Sequence, residues 1–136
     1  MSFPPPTRLP HQFQKHYTRD EARALLPQVR DWLDELTDLR RRLEQLEKRL
    51  ESLRRGGEDL GGDAVVKWVQ AMASMREILL RFYHREIQIK DLERGLIDFP
   101  AIIGGREVFL CWEQGEEDIE FWHDLDTGYA GREKLD

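Results

Sequence analysis

The chain has a single cysteine, no apolar run long enough to span a bilayer and no excess of basic charge, and each shortage excludes a class of function. Cys111 alone cannot form an internal disulfide, and no CxxC pair is present. That removes disulfide scaffolds and paired-cysteine redox or zinc motifs, and it fits a reducing cytoplasm. No stretch approaches the roughly 18 consecutive apolar residues of a membrane helix. The start, Met1 to Pro10, lacks the apolar core of about 7 to 15 residues that a secretion signal needs. A soluble cytoplasmic protein with no membrane partner is expected.

The formal charge is -6, unevenly spread. Residues 91–136 carry 4 Lys and Arg against 13 Asp and Glu, while residues 1–90 carry 17 against 14. An acidic tail repels phosphate backbones, so a nucleic-acid face would have to use Arg40-Arg41-Arg42 and Arg54-Arg55. These alternate with glutamates, as a solvated helix face does, and no nucleic-acid partner is expected.

What is present falls into one domain of α+β class behind a leader. Residues 1–16, with Pro4, Pro5, Pro6 and Pro10, read as a disordered proline-rich leader. The single domain covers 17–136. Thr18-Arg19-Asp20-Glu21 is a capping box that starts helix 1, over 17–55. Leu25, Val29, Trp32, Leu36, Leu39, Leu43, Leu46, Leu50 and Leu53 then follow at alternating steps of 4 and 3, which keeps one apolar stripe on one face. Pro27 should kink the first turns without ending the helix. Gly56-Gly57 and Gly61-Gly62 bracket a short loop, and helix 2 occupies 63–86 with Val65, Trp68, Met72, Met75, Leu79 and Phe82. Two apolar stripes joined by so short a loop form a long antiparallel helical hairpin, coiled-coil-like in its packing. Helix 1 is the longer, so part of its stripe, at Leu36, Leu43, Leu50 and Leu53, is expected to serve as an interaction surface.

From residue 87 the apolar period changes to two, giving a β-rich acidic tail over 87–136. Leu96 to Ile103 and Arg106 to Trp112 flank the turn pair Gly104-Gly105, with Val108, Leu110 and Trp112 on one face and Phe109 and Cys111 on the other. Ile119, Phe121 and His123 are expected to share a face of a further strand. The expectation is a small antiparallel sheet of three to four strands packed on the helices, chiefly helix 2.

Several stretches carry a family likeness. They are Tyr17-Thr18-x-x-Glu21-Ala22-x-x-Leu25-Leu26-Pro27, Asp91-Leu92-Glu93-x-Gly95-Leu96-x-Asp98-Phe99-Pro100, Gly105-Arg106-Glu107-Val108-x-Leu110-Cys111-Trp112 and Trp122-His123-x-x-Asp126-x-Gly128-x-x-Gly131-Arg132. With these, the chain resembles the bacterial and archaeal family DUF2203 from about residue 17 to 135. The resemblance implies an uncharacterised family and transfers no catalytic residue, cofactor or partner.

The residues themselves offer a few chemistries. His123 and Asp126, with Glu93 and Asp98 from earlier turns, form a candidate set for a divalent metal, since imidazole and carboxylates suit Mn, Fe or Zn. Set against it is a histidine simply hydrogen-bonded at a strand end. Proton transfer between Glu93, Asp98 and His123 would need a cleft that separates their proton affinities. Cys111 would act as a nucleophile only beside a cation such as protonated His123, and otherwise reads as a small buried residue. The Gly128 to Arg132 turn lacks the lysine-serine pair and following helix of a phosphate loop. The functional expectation is an interaction or assembly module, a homo-oligomer or a protein with a protein partner, self-associating through the hairpin. The alternative is a small metal-binding protein or metal-dependent enzyme with its site in the β-tail. Substrate and reaction are not specified, and neither is a cofactor beyond that divalent metal.

Overall fold

Thr18 sets the start of the first helix, α1 (Arg19–Arg55), in the computed structural model of the chain, which describes residues 11–57 and 62–136. Its hydroxyl accepts the amide of Glu21 at 3.1 Å, and Glu21 Oε1 accepts the amide of Thr18 at 3.1 Å. Two donors of the open first turn are thereby satisfied reciprocally. The helix continues through Pro27 for 37 residues, about 55 Å at 1.5 Å per residue. Pro27 is exposed, so the carbonyl it leaves unpaired lies away from the core.

The second helix, α2 (Asp63–His84), runs back along α1. Trp32 meets Phe82 edge-on at 5.4 Å, and further along Leu43 and Leu46 cluster with Ala71, Trp68 and Met75, which makes the pair antiparallel. Val29, Trp32, Leu36, Leu43 and Leu46 are buried, and Leu25, Leu39, Leu50 and Leu53 are half-buried. This corrects the expected interaction surface. Leu36 belongs to the main core and Leu43 to the cluster around Ala71, so neither is available to another chain, and only Leu50 and Leu53 keep part of their surface exposed. Of the large apolar side chains left exposed among the described residues, Val66, Val69, Met72, Leu79 and Tyr83 lie on α2, and Ile102 and Ile103 lie at the end of the stretch Leu96–Ile103. Among the described residues no helix is long and apolar enough to cross a membrane.

The tail folds into five antiparallel strands, β1 (Gln88–Asp91), β2 (Leu96–Ile103), β3 (Arg106–Glu113), β4 (Phe121–Asp124) and β5 (Glu133–Lys134), arranged in chain order. The sequence pointed to three or four. The period-two pattern from residue 87 covers β1, whereas β5, at 2 residues, is too short for alternation to reveal it. Gly104 and Gly105 both take positive φ, 59° and 76°, the conformation a two-residue hairpin turn demands, and they fix Ile103 opposite Arg106. On one face Ile97, Phe99, Ala101, Val108, Leu110 and Trp112 form a single core with α1 and α2. Each such side chain contributes about 1.5–3 kcal/mol by burial.

The sheet rests on α1 as much as on α2. Ala22, Leu26 and Leu33 add a second apolar row beside the heptad stripe, and Arg23 reaches Asp118 with both Nε and an Nη, at 2.7 and 2.9 Å. Ile119 also joins this core, so it does not share a face with Phe121 and His123 as expected, because β4 begins only at Phe121 after an irregular stretch. The opposite face of the sheet is buried too. Phe13 covers Phe109 at one end, and Arg132 covers Phe121 at the other with its guanidinium 3.8 Å from the ring centre.

Residues 11–16, grouped by the sequence with a disordered leader, are thus fastened to the sheet. The Glu107 carboxylate accepts the amides of Gln12 and Phe13 at 2.8 and 3.0 Å, and Glu86 accepts those of Gln14 and Lys15. Carboxylates presented to consecutive free amides compensate the ordering entropy that the composition alone does not. The rest of the leader, residues 1–10, and the loop residues 58–61 lie outside the described residues.

A buried aspartate, cysteine and histidine as candidate metal centre

Strand register brings the site together. In the β2–β3 ladder Asp98 stands directly opposite Cys111, and in the β3–β4 ladder His123 stands opposite Phe109, two residues along β3 on the same face. Side chains from β2 and β4 lean over β3 and meet above it, His123 Nε2 lying 2.9 Å from Asp98 Oδ2. Potential ligand atoms of Asp98, Cys111 and His123 all fall within 4.8 Å of one another. Asp98 is 1 % exposed, His123 2 % and Cys111 0 %, so the cluster is dry.

The hydrogen bonds assign the imidazole's tautomer. His123 Nδ1 lies 2.6 Å from the carbonyl oxygen of Asp124, which only accepts, so Nδ1 carries a proton. Nε2 is left to face Asp98 and Cys111. Burial works against a charged imidazole here, but the bonds to Asp98, Cys111 and the Asp124 carbonyl, with the charge of Asp98, outweigh it and push the His123 pKa up to about 10. The pocket therefore holds a cation at Nε2, and at neutral pH that cation is a proton. The second oxygen of Asp98, Oδ1, is buried without a hydrogen-bond partner. An unpaired lone pair on a buried carboxylate costs free energy unless something occupies it.

Asp98, Cys111 and His123 supply a carboxylate, a thiol and an imidazole whose Nδ1–H is already committed to a backbone carbonyl. That outer bond is the usual partner of a metal-ligating histidine, fixing the ring so that the Nε2 lone pair points at the ion. In a tetrahedral site with bonds near 2.0–2.1 Å to nitrogen and oxygen, neighbouring ligand atoms stand about 3.3 Å apart. The 2.9 Å between His123 and Asp98 would open by a few tenths of an ångström.

Of the four residues the sequence put forward as ligands, only His123 and Asp98 meet. Glu93 is exposed in the turn between β1 and β2 and pairs with Arg40 at 3.1 Å. Asp126 is exposed in the turn after β4. Neither reaches the cluster because each lies outside the strands whose pleat aims Asp98 and His123 at each other. Cys111, read as a small buried residue, is buried and is also the third member. Proton transfer to a substrate by Glu93, Asp98 and His123 does not fit, since Asp98 and His123 are closed to solvent.

Arg132 borders the cluster through Phe121, which stands opposite Cys111 in the β3–β4 ladder and carries the Arg132 guanidinium on its ring. It is also paired with Glu116 at 3.2 Å and stacked on Phe121 and Tyr129, so the glycine turn that carries it is fixed against the sheet. Of the arginines in the two basic runs, Arg40, Arg41, Arg54 and Arg55 each lie within 4.0 Å of a carboxylate, and Arg42 makes no ion pair among the described residues.

Residues 15–135 match the model of a family described as Uncharacterized conserved protein (DUF2203). No curated protein and no solved structure matches the chain.

Proposed function

We propose, on the premise that this chain belongs to the DUF2203 family, that it is a metal-binding protein whose ion is held by Asp98, Cys111 and His123. The observation that carries this reading is the convergence of three different ligand groups, all closed to solvent, where one carboxylate oxygen has no partner. Mixed S, N and O donors suit a borderline ion, zinc or ferrous iron, better than magnesium or calcium. The reading keeps the protein in a reducing cytoplasm, where the thiol of Cys111 stays available. Three protein ligands leave a fourth position, which is an arrangement shared by catalytic zinc sites, but the closed face supports a structural or sensing ion ahead of an enzyme.

Cobalt(II) added to the metal-free protein tests this. Thiolate ligation by Cys111 gives a near-ultraviolet charge-transfer band, absent from Cys111→Ser and strongly weakened in His123→Ala. A wild-type protein that shows no such band and gains no thermal stability from cobalt or zinc removes the reading.

Self-association through the hairpin is a second reading, favoured by α2. Ala64, Ala71, Ile78 and Phe82 are buried on one side, while Val66, Val69, Met72, Leu79 and Tyr83 are 41–73 % exposed on others. The apolar arc of α2 is wider than the side α1 covers, with Lys67, Gln70, Glu77 and Arg81 keeping one strip polar, so α1 supplies only one of the partners that arc can take. A second copy of the chain would supply the other. Light scattering would give a mass above the 16.2 kDa monomer for wild type and the monomer mass for Val69→Glu with Met72→Glu. A monomeric wild type removes it.

A further inference from the structure

At the other end of the same sheet face, a different set of side chains meets at the surface. We propose that His11, His16 and Glu107 form a second divalent-metal site, one that opens to solvent and fastens the N-terminal segment to β3. Their ligand atoms lie within 4.8 Å of one another, His11 exposed and the other two partly buried. Two imidazoles and one carboxylate are a recurrent donor set for zinc, with the fourth position left to water.

Two of the three ligands are held in place before any ion arrives. Glu107 is fixed by the amides of Gln12 and Phe13, and His16 Nε2 lies 2.7 Å from its Oε2. Tyr17, the next residue, anchors His16: its amide donates to the carbonyl of Pro100 at 2.7 Å and its hydroxyl to that of Arg85 at 2.8 Å. Burial opposes charge on Glu107, yet His16 and the two amides hold its carboxyl below the usual range, so it meets a cation as an anion. A carboxylate has about four lone-pair positions, and the two amides and His16 use three. An ion at Nε2 of His16 takes over the position that the imidazole proton occupies on Oε2.

His11 is the exposed ligand. Its ring lies edge-on to that of His16 with centres 5.1 Å apart, and since its ligand atom is within 4.8 Å of the others, a shift of at most about 1.5 Å brings it to the ligand spacing of a tetrahedral ion. This site does not depend on the buried one. Phe109 stands between them, packed on Phe13 on one side and on the His123 ring on the other.

Zinc titration of the full, untagged chain by calorimetry, with wild type, His11→Ala, His16→Asn and Cys111→Ser, tests the assignment, with cobalt absorption read alongside. His11→Ala removes an exposed side chain, so the fold is kept. The expected result is that His11→Ala and His16→Asn each lose one zinc equivalent or weaken it at least tenfold, while any cobalt–thiolate band is unchanged. Zinc should also slow amide hydrogen exchange at Gln12 and Phe13 in wild type and not in His11→Ala. Were zinc stoichiometry and affinity the same in wild type and both histidine variants, or all zinc lost with Cys111→Ser alone, the surface site would be overturned and the buried one kept. Zinc binding that survives Cys111→Ser and disappears in His11→Ala would establish the surface site and count against the buried one. No zinc in wild type would overturn both.

Discussion

Asp98 and His123 sit on strands that do not touch, β2 and β4, and yet form a 2.9 Å pair across β3. Strands two apart in a sheet are separated by about 9.5 Å, so only side chains leaning toward each other over the middle strand can close that distance. The pair ties three strands together on the face away from the helices. Its charges are buried, which makes it sensitive to whatever changes the charge on the imidazole.

The sensitivity to pH has a definite sign. His123 has an ordinary value of 6.5 and is pushed up to about 10 in the folded chain, so the folded state binds its proton more tightly than the unfolded one. Its stabilisation is fully present below pH 6.5 and is lost progressively as pH rises toward about 10. Urea unfolding of metal-free protein across that window should show wild type losing stability faster than His123→Gln. Parallel curves would mean that the imidazole is neutral at all these pH values.

Loss of the pair should be costly at neutral pH. His123→Ala leaves the Asp98 carboxylate buried without its counter-charge, and breaking one side of a buried pair costs about 3–5 kcal/mol. Asp98→Asn with His123→Gln, which removes both charges, should recover part of that loss in urea melts.

Glycine substitutions separate backbone strain from crowding. Gly95 has φ +65°, and a Cβ there would lie 2.5 Å from the Cβ of Gln114, whereas Gly104, at φ +59°, faces open space. Gly104→Ala should cost about 1–2 kcal/mol from the left-handed conformation alone. Gly95→Ala should cost clearly more, with displaced amide resonances at Gln114. Equal losses would mean that the β1–β2 turn yields without resistance.

The heptad stripe should respond unequally along its length. Leu36 is fully buried and Leu53 half-buried, so Leu36→Ala should lower stability by about 2–5 kcal/mol and Leu53→Ala by far less. Comparable thermal shifts for the two would place Leu53 in an interface with another chain.

Features written in local chemistry were legible in the sequence. The Thr18 capping box, the heptad of α1 and the Gly104-Gly105 hairpin each depend on residues a few positions apart. The ligand set was only half legible. Asp126 and Glu93 are near His123 and Asp98 in the chain, but both fall in turns, where nearness along the chain does not give a shared direction. Cys111 was discoverable: a two-residue turn pairing Ile103 with Arg106 counts back along both strands to Asp98 opposite Cys111. The β3–β4 connection offers no such count. Residues 114–120 include an isolated bridge and irregular turns, so the register that brings His123 over β3 is set by tertiary packing. β5, at 2 residues, carries too little pattern to announce a strand.

The sheet's chain-order arrangement bears on how the buried cluster is enclosed. Each strand pairs with its immediate successor, so β2, β3 and β4 can zip up by short-range steps. The covers over their far face come from segments outside these three strands, Phe13 from before α1 and Arg132 from after β4. Phe13 is held near Phe109 through Tyr17, whose amide donates to the Pro100 carbonyl of β2, and Arg132 through its pair with Glu116. Asp98, Cys111 and His123 are thus brought together by neighbouring strands and enclosed by segments distant in sequence, so displacing Phe13 or Arg132 would open the cluster without unpairing β2, β3 or β4.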